Sequence, residues 1–190
     1  MSVHPGQLVI VSGPSGAGKT SVLREVFVRC RRPLVASVSA TTRSPRPGEI
    51  HGKDYYFLSK DEFASRREAG EFLECCEVYG RGDWYGTLMS EVAPRIADGK
   101  WVVLEIDVQG TFEVVRKFPE ALTIFIQPES VEELERRLIA RGTEGPEQLA
   151  RRLDVGRREM SQADRYRHKV INQVFGHAIE DVCRILEQGM

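Results

Sequence analysis

One run limits this chain's fold more than any other: Gly13-Pro14-Ser15-Gly16-Ala17-Gly18-Lys19-Thr20, directly after the uncharged, branched stretch 8–12 (LVIVS). Glycines let successive backbone N–H groups turn toward one anion with no Cβ in the way. A helix that begins there aims its positive dipole end at the same anion. Lys19 can then reach the β- and γ-phosphates of ATP, and the Thr20 hydroxyl can ligate Mg²⁺. A buried strand feeding such a loop and then a helix is the opening of an α/β fold with a largely parallel sheet.

The remainder of the chain continues that alternation. Residues 34–39, 101–106 and 123–126 are apolar runs of strand length, and 169–171 is a short last one. Helices are expected over about 19–31 and about 177–188. Ser59 with Glu62, and Ser130 with Glu133, are capping boxes that open helices. The first stops before Gly70; the second runs to Arg141 and is ended by Gly142. Between residues 39 and 86 the pattern changes to dense Gly and Pro punctuation with short alternating stretches at 55–58 and 72–78. That predicts a small antiparallel lobe inserted into the parallel core.

Composition adds exclusions. A net charge of −1 argues against a nucleic-acid wrapper. No apolar run approaches the ~18 residues of a membrane span. Cys30, Cys75, Cys76 and Cys183 form no CxxC pair, which suits reduced thiols and a cytoplasmic location. Charge is unevenly placed, with nine arginines but five acidic residues between Arg136 and Arg167.

A phosphate-binding loop alone leaves GTPases, ATPases, helicases and small kinases open; the length removes most motors, and no NKxD motif is present. The acceptor is read from residues 39–49, SATTRSPRPGE. They begin at a strand's carboxyl end, where ligands bind in doubly wound sheets. Arg43 and Arg46 stand three apart, with Pro45 and Pro47 stiffening the backbone, and two guanidinium forks on a rigid loop suit a phosphate dianion.

With these residues in place the chain resembles the guanylate kinases over almost its whole length. The resemblance is carried by GPSGAGKT at 13–20, SATTRSPRPGE at 39–49, GKDYYF at 52–57 and EFLE at 71–74. It continues through WYGT at 84–87, EIDVQG at 105–110, RRLIARGTE at 136–144 and RRL at 151–153. It implies one domain over 1–190: a core of about 1–38, 88–135 and 160–190, a GMP-binding lobe of about 39–87 and a helical lid of about 136–159. It implies that Arg43, Arg46, Tyr55 and Tyr85 hold the GMP phosphate. Glu74 would accept from guanine N1–H and the exocyclic amine, Ser39 and Thr87 would complete the base contacts, Asp107 would lie near the exocyclic amine, and Glu105 would lie next to the base and metal region. Arg141 and Arg152, joined by Arg137, would be lid arginines acting with Lys19 and Arg43 in catalysis, and Asn172 would serve the ATP site.

The reaction implied is ATP + GMP giving ADP + GDP, with dGMP as a further acceptor and Mg²⁺ carried with ATP, by a monomer or homodimer acting without nucleic acid or membrane. The alternatives are a related kinase for another small phosphate, such as a ribose phosphate, and a phosphopeptide-binding module without catalysis. Three positions depart from the common pattern: Glu105 stands for the usual Asp, the turn at 80–84 is two residues longer, and Gln173 follows Asn172 in place of Asp.

Overall fold

The computed structural model describes residues 6–77, 82–140 and 145–189. The larger sheet has strand order β2-β7-β1-β8-β9, formed by Leu34–Ala36, Trp101–Glu105, Gln7–Ser12, Leu122–Gln127 and His168–Ile171 respectively. β1 pairs with β8, and β8 with β9, both in parallel. The pairing explains the composition: Val9, Ile10, Val11, Ile124, Phe125 and Ile126 are fully buried, so strands covered on both faces carry no charge.

The smaller sheet has order β4-β3-β6-β5, formed by Tyr56–Phe57, Ser39–Thr41, Trp84–Leu88 and Phe72–Glu77. β3–β6 and β5–β6 are antiparallel as the punctuation predicts, but β3 and β4 run parallel. The run at 34–39, read as one strand, serves both sheets. The Ser37 amide donates to the Val103 carbonyl at 3.0 Å and the Val38 amide to the Glu91 carboxylate at 3.3 Å, after which Ser39 pairs with Thr87.

By contact density the chain divides into two compact units. One holds the smaller sheet (Met1–Leu8, Val35–Leu104, Gln109–Ala121) and the other the glycine-rich loop (Val9–Leu34, Glu105–Val108, Leu122–Met190). In the first, α2 (Lys60–Glu68) is capped as expected, the Ser59 hydroxyl accepting from the Glu62 amide at 3.1 Å. Its Phe63 stacks on Phe72 at 4.4 Å and closes a core with Ala40, Leu58 and Leu88. α3 (Met89–Ala97) and α4 (Val108–Lys117), across which the unit boundary falls, complete the pattern between strands.

In the second unit α1 (Lys19–Arg29) packs on α7 (Phe175–Gln188), which also lies against β9. α5 (Val131–Ala140) packs on α6 (Pro146–Met160) through Leu134, Leu138 and Leu153. The Ser130 hydroxyl accepts from the Glu133 amide at 3.2 Å, as the second capping box requires. The expected helix end at Arg141 and Gly142 lies outside the described residues, as do Gly80 and Arg81 of the longer turn.

Candidate active site

The glycine-rich loop joins β1 to α1. Gly13, Gly16 and Gly18 have φ of +141°, +97° and +87°, conformations closed to most L residues. A side chain at Gly13 would also run into the Ile126 carbonyl of β8. The loop borders a recess of about 160 Å³ lined by Ser15, Gly16, Gly18, Lys19, Thr20, Ser21 and Glu105. Lys19 Nζ donates to the carbonyls of Gly13 at 2.7 Å and Pro14 at 3.1 Å, and the Thr20 hydroxyl donates to Glu105 Oε1 at 2.7 Å. Glu105, one methylene longer than the usual Asp, therefore meets the threonine directly. Two hard oxygen groups beside a phosphate-sized recess fit Mg²⁺ held jointly with phosphates.

Arginines from α5 and α6 reach this loop. Arg152 donates to the Ser15 hydroxyl. Arg137 is engaged with the fold itself: Nε donates to Glu133 at 2.7 Å and Nη2 to the Asn172 carbonyl at 2.7 Å. Arg141 lies outside the described residues. Asn172 is buried, and its side-chain Nδ2 donates to the Ala17 carbonyl at 2.8 Å.

Sequence reasoning gave no role to Glu159 on α6. Burial raises its carboxyl to about 7, the Lys19 charge opposing and the Asp107 charge adding to the rise. Glu105 and Asp107, expected from the sequence near the acceptor base, lie in the second unit, where Glu105 meets Thr20 and the Asp107 charge acts on Glu159.

The other group of residues sits on the smaller sheet, and strand alternation explains it. Along β6, Trp84 and Leu88 pack into the core while Tyr85 and Thr87 take the opposite face. Gly86 lies between them because a Cβ there would come within 2.8 Å of Cys75, Phe72 and the Glu74 carbonyl. In register, Thr87 stands opposite both Ser39 and Glu74, and Tyr85 opposite Thr41 and Cys76. The Thr87 hydroxyl donates to Glu74 Oε1 at 2.7 Å, and Glu74 is 5 % exposed.

Two positions along the same strand, about 7 Å away, is a cationic cluster. Arg43 Nε donates to the Tyr85 hydroxyl at 3.2 Å, and its guanidinium lies 5.4 Å from the Tyr55 ring centre. Arg46 is exposed on the same loop.

Glu49 went unassigned from sequence although it continues the three-residue spacing of Arg43 and Arg46. Its carboxylate takes Arg43 Nη1 and Nη2 at 3.0 Å each and the Arg46 amide at 2.7 Å. Those bonds, Arg43 first, hold its carboxyl below the usual range. Glu91 was also missed. It is 7 % exposed and receives the Tyr56 hydroxyl at 2.8 Å and Arg95, bonds that outweigh its burial and keep it ionised below the usual range.

A buried acidic acceptor beside an arginine–tyrosine cluster on one unit, and a phosphate-binding loop on the other, narrow the family. The guanylate kinase family model matches residues 5–189. The chain belongs to the guanylate kinase family.

The guanylate kinase of Rhodopirellula baltica is 52% identical over 186 residues, covering 97% of this chain and 89% of that protein. That of Gloeobacter violaceus is 50% identical over 186 residues, with 96% and 88% covered. Among solved structures, the guanylate kinase of Anaplasma phagocytophilum aligns with a TM-score of 0.79 at 30% identity, covering 97% of this chain and 86% of that one.

Proposed function

We propose that this chain transfers the γ-phosphoryl group of ATP to GMP, and also to dGMP, giving ADP and the corresponding diphosphate. The observation that carries the acceptor is the Glu74–Thr87 pair on the same sheet face as Arg43, Tyr55 and Tyr85. A carboxylate has acceptors only, which suits the two donors, N1–H and exocyclic amine, on the guanine edge. Adenine presents an unprotonated N1 there, and a buried carboxylate facing it loses about 1–3 kcal/mol or more. Ser39, level with Thr87 across β3–β6, completes the base contacts. Arg43, Arg46, Tyr55 and Tyr85 supply donors for the acceptor's phosphate, about one strand pleat repeat away.

On the donor side, the amides of residues 13–20 and Lys19 hold the triphosphate. Thr20, with Glu105 beside it, would hold Mg²⁺, which when bound neutralises charge on the β- and γ-oxygens. Residues 136–159 serve as a lid whose Arg152, with Arg141, adds positive charge around the transferring group, while Arg137 at the base of the segment stays bonded to Glu133 and Asn172. Catalysis then needs positioning and charge stabilisation but no covalent enzyme intermediate. The four free cysteines suit a reducing compartment, and we assign the activity to the cytoplasm. Among the described residues no helix is long and apolar enough to cross a membrane.

Glu74→Gln tests the acceptor reading. Gln keeps the size but turns one acceptor into a donor aimed at guanine's own donors. GMP kcat/KM should fall about 100-fold, of the order expected for a buried charged hydrogen bond, while calorimetry shows ATP binding nearly intact. Equal loss of both would make Glu74 a structural residue.

A further inference from the structure

Asn172 stands where the family resemblance suggests a contact to the donor nucleotide, yet its side chain is engaged elsewhere. Its backbone is fixed by the sheet: the Asn172 amide donates to the Gln127 carbonyl at 2.8 Å, extending the β8–β9 pairing by one residue. Its carbonyl accepts Arg137 Nη2 at 2.7 Å, and Arg137 is held in turn by Glu133. From that anchored position the side-chain amide donates to the Ala17 carbonyl at 2.8 Å, and Arg137 Nη1 approaches the same oxygen at 3.4 Å. One loop carbonyl thus receives donors from two separate elements. Asn172 is 6 % exposed, so its amide has little surface with which to meet a base.

The consequence for phosphate binding comes from peptide geometry. In a trans peptide the C=O and the following N–H point in opposite directions within one plane. Holding the Ala17 carbonyl therefore aims the Gly18 N–H the other way, and Gly18 lines the recess beside Lys19 and Thr20. Gly18 completes the fit. Its φ is +87°, and a Cβ there would stand 2.5 Å from Asn172 Nδ2, so the asparagine amide occupies the space that a side chain at 18 would need. The turn is closed on its other side by the Ala17 amide, which donates to the Pro14 carbonyl at 3.1 Å.

We propose that Asn172 is a positioning residue of the phosphate-binding loop: together with Arg137 it fixes the Ala17–Gly18 peptide so that the Gly18 N–H faces the donor's phosphates, and it does not read the base. This rests on the reading of ATP as donor and concerns the polyphosphate part of it alone. Preorganised donors strengthen phosphate binding without any reference to the base, so the role separates cleanly from base recognition.

The test compares three ligands by calorimetry: inorganic tripolyphosphate, ATP and ITP, whose base lacks the amino group. Asn172→Leu keeps the branched outline though it is bulkier, adds no charge and removes the donor; Asn172→Ala is the second variant if leucine prevents folding, as judged by thermal melting. The expected result is a common weakening of all three ligands, about tenfold for one buried hydrogen bond, with the ATP-to-ITP ratio unchanged and KM for GMP unmoved. Tripolyphosphate binding at the unmodified level would overturn the proposal, and so would a shift in the ATP-to-ITP ratio. If the unmodified chain failed to phosphorylate GMP, the kinase reading would fail, while the tripolyphosphate comparison would still decide the role of Asn172.

Discussion

Arg43 shows how a residue proposed to bind phosphate is held by its own loop. A guanidinium has five N–H donors; here Nε goes to Tyr85, Nη1 to the Ser44 carbonyl and Glu49, and Nη2 to Glu49. Little of the fork remains, so in the proposed reaction Arg43 would offer the acceptor's phosphate a single N–H and exposed Arg46 would supply the wider grip. Glu49→Gln should therefore raise KM for GMP about tenfold, the scale of one charged hydrogen bond, and leave KM for ATP unchanged in steady-state kinetics. A fall in KM would instead show that Glu49 competes for the phosphate site. The pairing has a pH sense. Glu49's carboxyl is held below its usual range, so the stability the pair contributes is present above the ordinary carboxylate pKa and is lost as pH falls through the lowered one. Arg43 and Arg46 were legible from their spacing and from the stiffening prolines. Glu49 was not, because its partner appears only when the 46–49 turn brings it back, the Glu49 amide on the Arg46 carbonyl at 3.0 Å.

Elements differ in how openly they declare themselves. α2 and α5 were readable because Ser59 and Ser130 cap them through hydrogen bonds three residues long. α3 was not, for it has no side-chain cap and carries Pro94 inside it; burial of Val92 and Glu91 holds it instead. The split of 34–39 into β2 and β3 was hidden for a similar reason, since Val38 leaves the ladder to meet Glu91, a residue 53 positions away. α6 adds a consequence that no pattern announces. Burial keeps the Glu159 carboxyl protonated up to about pH 7 in the folded chain, against about 4.3 in the unfolded one. Its contribution to stability is full below the unfolded value and is lost as pH rises through about 7. Glu159→Gln, a permanently neutral replacement, should raise Tm at pH 8 and change it little at pH 4, read by thermal melts at both. An equal shift at the two pH values would mean that the carboxyl does not titrate in this range.

At the scale of the whole molecule, the proposed donor and acceptor residues belong to different compact units, and each was legible by a different route. The phosphate-binding loop was plain because its chemistry is local: eight consecutive residues, glycines where φ is positive, then a helix. The acceptor face had to be inferred, because Ser39, Glu74 and Thr87 meet only through strand register. The claim that joins the two groups is that one chain carries phosphoryl from ATP to GMP, selected by its base. A coupled assay of ADP formation, with GMP, dGMP, AMP, UMP and ribose phosphates offered one at a time, tests it directly. Turnover of GMP, with dGMP following and AMP and the ribose phosphates at least about 100-fold poorer in kcat/KM, is the predicted result. Better turnover of AMP or of a ribose phosphate than of GMP would contradict it.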